Sequence, residues 1–282
     1  MMALRNLLKS AKPIHNLARC YSAGAKLVDV KVNDQNGVAT VTMQRMPVNS
    51  LNYDLLSQLV DAIDDLENNK TRGMILTSAS NTVFSAGLDI MEMYKPQEEK
   101  CKKFWTTLQD TWLKLYGSSF PTAAAINGHS PAGGCLLSMC CEYRVMVNNF
   151  TIGLNETQLG IVAPKWFIAS MQNTMSKRDA EIALTSGRLF TTEEALKVGL
   201  VDEIASDKED ALAKAEKFFA RFAKVNPLAR QLTKASLRGE DLQDLLDNKE
   251  TDVDLFWFSV SQPMVQKSLD KYIEALKKKS GK

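Results

Sequence analysis

The sequence predicts an α/β core followed by a helical C-terminal region. Three observations carry this expectation. Short, continuous apolar runs at residues 73–77, 123–126 and 143–147 have the length and composition of strands buried on both faces. Between the first two lies a helical stretch from about Glu98 to Tyr116, and between the last two a short apolar helix over residues 135–141, so the order is strand, helix, strand, helix, strand. After about residue 164 the strand patterns stop, and only helical ones follow.

The elements can be justified in turn. Residues 27–32 and 38–43 are β-rich and flank a turn-forming stretch at 33–37, the pattern of a hairpin. Leu55, Leu59, Ile63 and Leu66 recur at helical spacing. The loop 78–89 follows the 73–77 strand, and Gly and Pro punctuate a turn at 127–134. Helical patterns in the last third cover residues 206–224, 227–237 and 263–278. Open α/β sheets bind ligands where strands exit, so the loops are the places to look for chemistry.

Composition narrows the classes. Of 282 residues, 45% are hydrophobic and 24% charged, as in ordinary globular proteins, and no apolar run approaches the roughly 18 residues of a membrane span. The first 21 residues carry Arg5, Lys9, Lys12 and Arg19 with no acidic residue. Leu4, Leu7 and Leu8 share one potential helical face, and Lys9 and Lys12 interrupt any secretory apolar region, so residues 1–21 are expected to be a mitochondrial transit peptide cleaved near Ser22. Beyond it the chain holds 31 basic and 33 acidic residues, which offers no broad basic field to a nucleic acid. Cys20 would leave with the leader. Cys101, Cys135, Cys140 and Cys141 form no C-x-x-C pair, and are expected to be reduced, buried thiols.

Three loops carry the chemistry: FSAGLD from Phe84, HSPAGGC from His129 and IGLNETQLGI from Ile152. Ala86 and Gly87 follow a buried strand, and Gly133 and Gly134 open an apolar helix, so either place can aim backbone N–H groups at an anion or can simply be a strand-to-helix turn. Glu156 sits in a stretch from Thr151 to Pro164 that is otherwise uncharged, where desolvation would raise a carboxyl pKa toward general-base values; a surface glutamate is the other reading.

Taken together, and with ARQLTKA from Ala229, these loops resemble the enoyl-CoA hydratase/isomerase (crotonase) family over nearly all the chain after the leader. The resemblance implies a ββα spiral core over residues 22–200 and a helical trimerisation region over 201–282, assembled as a homotrimer in the mitochondrial matrix. It implies an enoyl-CoA thioester as substrate, with backbone N–H groups of Ala86 and Gly133 on the thioester oxygen. It also implies Glu156 as the catalytic acid/base, with Ser85, Gly87, Leu88, Asp89 and Asn155 around the substrate.

Hydratases of the family carry a second glutamate three residues after the oxyanion-hole glycine, where this chain has Leu136. Adding water needs one group to deprotonate it and another to deliver a proton, whereas moving a double bond needs one base that returns its proton. The expected reaction is therefore conversion of 3-enoyl-CoA to 2-trans-enoyl-CoA, with another acyl-CoA activity (hydratase or thioester hydrolase) or non-catalytic thioester binding as alternatives.

GHSPA, from Gly128, imitates the nucleophile elbow of serine hydrolases but places Pro131, which has no N–H, at the oxyanion-donor position, and His129 on the wrong side of Ser130. His129 instead reads as a turn residue near the substrate mouth. One histidine beyond the leader and scattered cysteines imply no metal, and no phosphate-binding or redox motif implies a cofactor. Lys277, Lys278 and Lys279 suit a solvated helix end, or a contact with coenzyme A phosphates.

Overall fold

The computed structural model describes residues 25–280, so the leader and the proposed cleavage site lie outside the described residues. Strands β1 (Val28–Val32) and β2 (Val38–Met43) form the expected antiparallel hairpin, pairing from Val28 with Met43 to Val32 with Ala39. Helix α1 (Tyr53–Asn68) starts where the Asn52 side chain accepts the Leu55 N–H, and buries Leu55, Leu59, Ile63 and Leu66. It leads to β3 (Gly73–Ser78), parallel to β2. Helix α2 (Glu98–Tyr116), β4 (Thr122–Ile126), α3 (Gly133–Cys140) and β6 (Tyr143–Val147) follow, with β3, β4 and β6 adjacent and parallel.

From β4 onward the chain alternates between two sheets. A small one is made of β5 (Ser130–Pro131), β7 (Thr151–Gly153) and β8 (Phe190–Thr191), while β6 returns to the large one. The large sheet ends on β9 (Glu203–Ala205), parallel to β6. This alternation is the spiral expected of the core. It also corrects the expectation that strands stop near residue 164, since β8 and β9 lie well beyond it. Strands of two and three residues show no periodicity. Their pairing is decided by the neighbour already in place.

The large sheet is covered on both faces, which is why its strands are continuous apolar runs. On one face Ala124, Ile126, Leu76 and Met74 join the main core with α1, α2 and α3. On the other, Ala123, Ala125, Ile75 and Val145 pack against Ala211, Ala215 and Phe218 of α7 (Lys208–Phe219). The core sheet thus takes both its edge strand and the helix covering its second face from beyond residue 200, because one face of an all-apolar strand cannot be left to water. The four described cysteines are free and buried.

Helices α4 (Lys165–Gln172) and α5 (Lys177–Ser186) connect β7 to β8 within the small sheet, and α6 (Thr192–Lys197) leads from β8 to β9. The expected helix at 227–237 continues for 34 residues as α8 (Pro227–Val260), capped by Asn226 with Pro227 in its first turn. Gly239 interrupts the helical pattern in sequence, yet has open space around it and costs the helix only about 1 kcal/mol. The last helix is α9 (Pro263–Ser280). No described helix is long and apolar enough to cross a membrane.

The ARQLTKA segment fastens α8 to the core. Arg230 pairs with Glu142, and Lys234 donates to Ser118 Oγ at 2.9 Å and to Glu142 at 3.2 Å. Arg238 donates to the carbonyls of Tyr116 and Cys140, the last residues of α2 and α3, at 2.8 and 2.9 Å, where a cation suits the negative helix ends. Lys234 is buried, and desolvation lowers its pKa to about 8. Lys234→Ala leaves Ser118 Oγ without its donor and removes one of the three donors to Glu142 Oε2, the others being the Thr122 N–H and Arg230. Its unfolding free energy, measured in urea, is expected to fall by about 2 kcal/mol, the scale of a hydrogen bond to a charged group.

Candidate active site

The second glycine loop and the first meet face to face. A Cβ at Gly87, whose φ is +87°, would lie 2.8 Å from the Ala132 methyl and 3.2 Å from the Gly133 nitrogen, and one at Gly134 would lie 2.6 Å from the Ser85 carbonyl oxygen. Only glycine allows this approach, and at position 87 only glycine adopts the backbone without strain. Ala132 also holds a positive φ of 50°, a conformation that costs a non-glycine residue of order 1–3 kcal/mol and concentrates at functional sites.

Backbone hydrogen bonding identifies which N–H groups are available. The Ala86 N–H donates to the Val48 carbonyl at 2.9 Å and the Gly87 N–H to Ser85 Oγ at 3.2 Å. The segment forms a parallel bridge with Leu51, whose N–H donates to the Gly87 oxygen at 2.8 Å and whose oxygen accepts the Asp89 N–H at 3.0 Å. In an extended segment successive N–H groups point to opposite sides, so Leu88 turns its N–H away from Leu51. Among the described residues neither the Leu88 N–H nor the Gly133 N–H, in the first turn of α3, has an acceptor. A Cβ at Gly133 would sit 3.3 Å from the Leu88 nitrogen, so the residues carrying the two donors are close neighbours. The expectation that Ala86 supplies a free N–H is thus corrected to Leu88.

The remaining residues of the first loop hold it in shape. Ser85 Oγ donates to the Asn49 carbonyl at 2.7 Å, and Asn49, buried, ties Ser78 and the Phe84 carbonyl together. Asp89 pairs with Arg45 at 2.8 Å and caps the turn Ile90–Glu92 through the Met91 N–H. These side chains are occupied by protein partners.

Glu156 lies across the cleft, in the first turn of the short helix Glu156–Leu159, and is 6% exposed. Both its carboxyl oxygens are buried without a hydrogen-bond partner. Desolvation pushes its pKa up to about 7. The cleft, about 80 Å³, is lined by Ala86, Leu88, Ala132, Asn155 and Glu156, and closed by Met93, Trp105, Phe167, Phe256 and Tyr272. Glu156 is the one carboxylate in its lining. Beside it a cavity of about 540 Å³ shares Trp105, Ile161, Val162, Pro164 and Phe256. Sequence reasoning missed this aromatic wall, because Trp105 and Phe256 are indistinguishable from core residues until α2 and α8 are seen to meet.

Leu136 is fully buried within the main core and does not line the cleft. Ser130 is fully buried as well, and the Thr151 N–H donates to His129 Nδ1 at 3.2 Å. The expectation that His129 is a turn residue near the substrate mouth is corrected: it forms a parallel bridge with Val83, its N–H donating to the Thr82 carbonyl and its carbonyl accepting the Phe84 N–H, and it lies outside the cleft lining.

Two opposed glycine loops with unpaired N–H groups and a dry carboxylate on an alternating two-sheet core define an acyl-thioester enzyme of the crotonase type. The family model for enoyl-CoA hydratase/isomerase matches residues 33–281, and the chain belongs to that family. It is 44% identical over 259 residues to enoyl-CoA delta isomerase 1, mitochondrial, of Mus musculus, covering 91% of this chain and 89% of that protein. With the Homo sapiens protein of the same name it is 42% identical over 261 residues, 92% and 86% of the two chains. The structure is similar to the crystal structure of human mitochondrial delta3-delta2-enoyl-CoA isomerase, with a TM-score of 0.87 at 42% identity over 90% of this chain and 99% of that one. An enoyl-CoA hydratase from Bacillus halodurans, at 22% identity over 87% of this chain and 100% of its own, shares the fold with a TM-score of 0.78.

A carboxyl group whose pKa rises on folding from 4.5 to about 7 holds its proton over a range in which the unfolded chain has lost it. Its contribution to stability therefore falls as pH rises from about 4.5 to 7, and stays at the lower level above. Glu156→Gln removes this penalty. In urea unfolding at pH 8 the variant is expected to exceed the wild type by up to about 3 kcal/mol, at 1.36 kcal/mol per pKa unit, with the difference gone by pH 4. Equal differences at both pH values would contradict the desolvation.

Proposed function

We propose that this chain is an enoyl-CoA isomerase that converts 3-cis or 3-trans enoyl-CoA to 2-trans-enoyl-CoA in the β-oxidation of unsaturated fatty acids. The observation that carries this reading is a single, unpaired carboxylate in the cleft that Leu88 lines, with the unpaired N–H groups of Leu88 and Gly133 beside each other. The thioester oxygen accepts the N–H groups of Leu88 and Gly133. Glu156 removes a proton from C2, the electrons delocalise through the 3,4 double bond and the thioester as a dienolate, and Glu156 returns the proton to C4. The new double bond lies between C2 and C3, and the enzyme ends in the state in which it began. Two preorganised donors on the developing oxyanion act where charge appears, and one such donor is typically worth roughly 2.7–4 kcal/mol. A base with a pKa near 7 is ionised enough to act at neutral pH and basic enough to take a carbon acid's proton.

The second cavity gives the acyl chain space beyond the reacting carbons. Asn155, beside the base, contacts the substrate. Residues 1–21 direct the chain to the mitochondrial matrix, a reading supported by their acid-free, basic composition and by relatives named as mitochondrial. The assembly is a homotrimer built through the C-terminal helices, and the exposed Leu228, Leu232, Leu237 and Leu246 on α8 supply apolar surface for it.

Incubation with 3-hexenoyl-CoA is expected to give 2-trans-hexenoyl-CoA, with hydration of 2-hexenoyl-CoA at least about 100-fold slower, or about 2.7 kcal/mol. Comparable formation of 3-hydroxyhexanoyl-CoA would overturn the assignment. Glu156→Gln is expected to lower kcat by about 10² to 10⁴ while binding of the CoA ester persists. Gly133→Ala keeps the N–H but puts a methyl group 3.3 Å from the Leu88 nitrogen and 2.9 Å from Leu51 Cδ1. It is expected to lower kcat about tenfold or more by displacing the oxygen from between its donors, and wild-type turnover would place the thioester elsewhere.

A further inference from the structure

Asp252, on α8, is not a site residue by any sequence motif; it does not line the catalytic cleft, but it lines the adjoining cavity. One of its oxygens, Oδ2, accepts three N–H groups: Trp105 Nε1 at 2.7 Å, Gln109 Nε2 at 2.7 Å and Trp166 Nε1 at 3.2 Å. The donors come from α2 and α4, and all three are neutral. Trp105 stacks on Phe256, one turn further along α8, with ring centroids 3.6 Å apart and planes 7° from parallel, and meets Trp166 edge-on at 5.7 Å. Trp105, Phe256 and Phe167 form the wall of the cleft that holds Glu156.

We propose that Asp252 is a positioning residue for proton transfer: by accepting the N–H groups of Trp105, Gln109 and Trp166 it locks the aromatic wall that keeps water from Glu156. The proposal rests on the isomerase reading above. Hydrogen bonds to an ionised acceptor are about twice as strong as neutral ones, and here they join three helices at one atom. A wall so fixed cannot part to admit solvent. The groups facing Glu156 supply no competing charge control. Cys135 of α3 is the thiol nearest in electrostatic effect and is held neutral by burial, and Tyr272 of α9 lines the cleft. Lys165 and Asp244, at the adjoining cavity, pair with each other at 2.5 Å. The segment after Glu156 meets α5 and its end through carbonyls, Leu184 to Thr157 and Gly187 to Gln158. Desolvation is then the lever on Glu156, and Asp252 acts on it through Trp105.

The test uses full-length protein with ¹³C-labelled glutamate carboxyls, the Glu156 signal being assigned by its loss in Glu156→Gln. In Asp252→Ala the titration midpoint is expected to drop from near 7 toward the ordinary glutamate range by about one unit, a tenfold change in proton affinity. The acid limb of kcat/KM for 3-hexenoyl-CoA should move with it, and kcat should fall about tenfold. Asp252→Asn keeps a carbonyl acceptor and should hold both the midpoint and the acid limb at the wild-type position. Trp105→Phe keeps the stack but removes one donor, and should shift the midpoint in the same direction by less; it carries the test if Asp252→Ala does not fold. An unchanged Glu156 midpoint in the folded variants, or an Asn variant shifted as far as Ala, would overturn the proposal. Failure of the wild type to isomerise 3-hexenoyl-CoA would instead overturn the functional reading, while the NMR titration would still decide the role of Asp252.

Discussion

The organisation of the site depends on one carboxylate kept without a partner. Glu156 is buried, and neither of its oxygens receives a hydrogen bond. Such a group is unfavourable to fold around, and an arginine or lysine nearby would relieve it. That relief would lower the pKa and remove the basicity a carbon acid demands. The fold does the opposite. It surrounds the carboxyl group with Trp105, Phe167, Phe256 and Ile161 and sends its buried cations elsewhere: Arg144 to Asp202, and Arg230 and Lys234 to Glu142. Because Phe256 and Tyr272 belong to α8 and α9, the C-terminal helices form part of the cleft. The docking of α8 by Arg230, Lys234 and Arg238 is in turn a condition for a dry Glu156.

The opposite wall follows from backbone geometry. An N–H can serve a ligand only if the fold leaves it unused, and buried backbone donors are almost always paired. Leu51 decides the matter by bonding to Gly87 and Asp89, the two neighbours of Leu88. The alternation of an extended chain then turns the Leu88 N–H away from Leu51, and Gly133, whose N–H is in the first turn of α3, lies beside it. Gly87 and Gly134 are needed for the two loops to close to this distance, and the strained Ala132 lies at the junction.

The same distinction explains what could be read from the sequence. Strands β3, β4 and β6 and helices α1 and α2 are legible because each carries its burial pattern locally. Glu156 stands out because it is the one charge in an apolar stretch, and Leu136 because it replaces an acid. Ala86 could not be told from Leu88 as the donor, since the choice depends on pairing with Leu51, which lies 37 positions upstream of Leu88. β9 and the second half of α8 were illegible for a related reason. Three residues, Glu203 to Ala205, are a strand only because β6 offers an open edge, and α8 passes through Gly239 and the acidic stretch around Asp244 and Asp247 because the core beneath it supplies the packing. The Asp252 cluster joins three helices and leaves no local signature.

The chemistry is bounded by what the cleft lacks. A water molecule held for attack needs two or more polar partners. Of the groups lining the cleft, Asn155, Glu156 and Tyr272 have polar side chains, and Glu156 is the one carboxylate among them. The position at which the resembled hydratases carry a second glutamate is Leu136, a side chain buried in the main core and not among the residues lining the cleft. A glutamate there would have to be desolvated among apolar neighbours before it could meet a substrate. With one carboxylate in the lining, the proposed mechanism has a single carrier for the proton taken from C2, which is why its return to C4, rather than addition of water, is the step assigned to it.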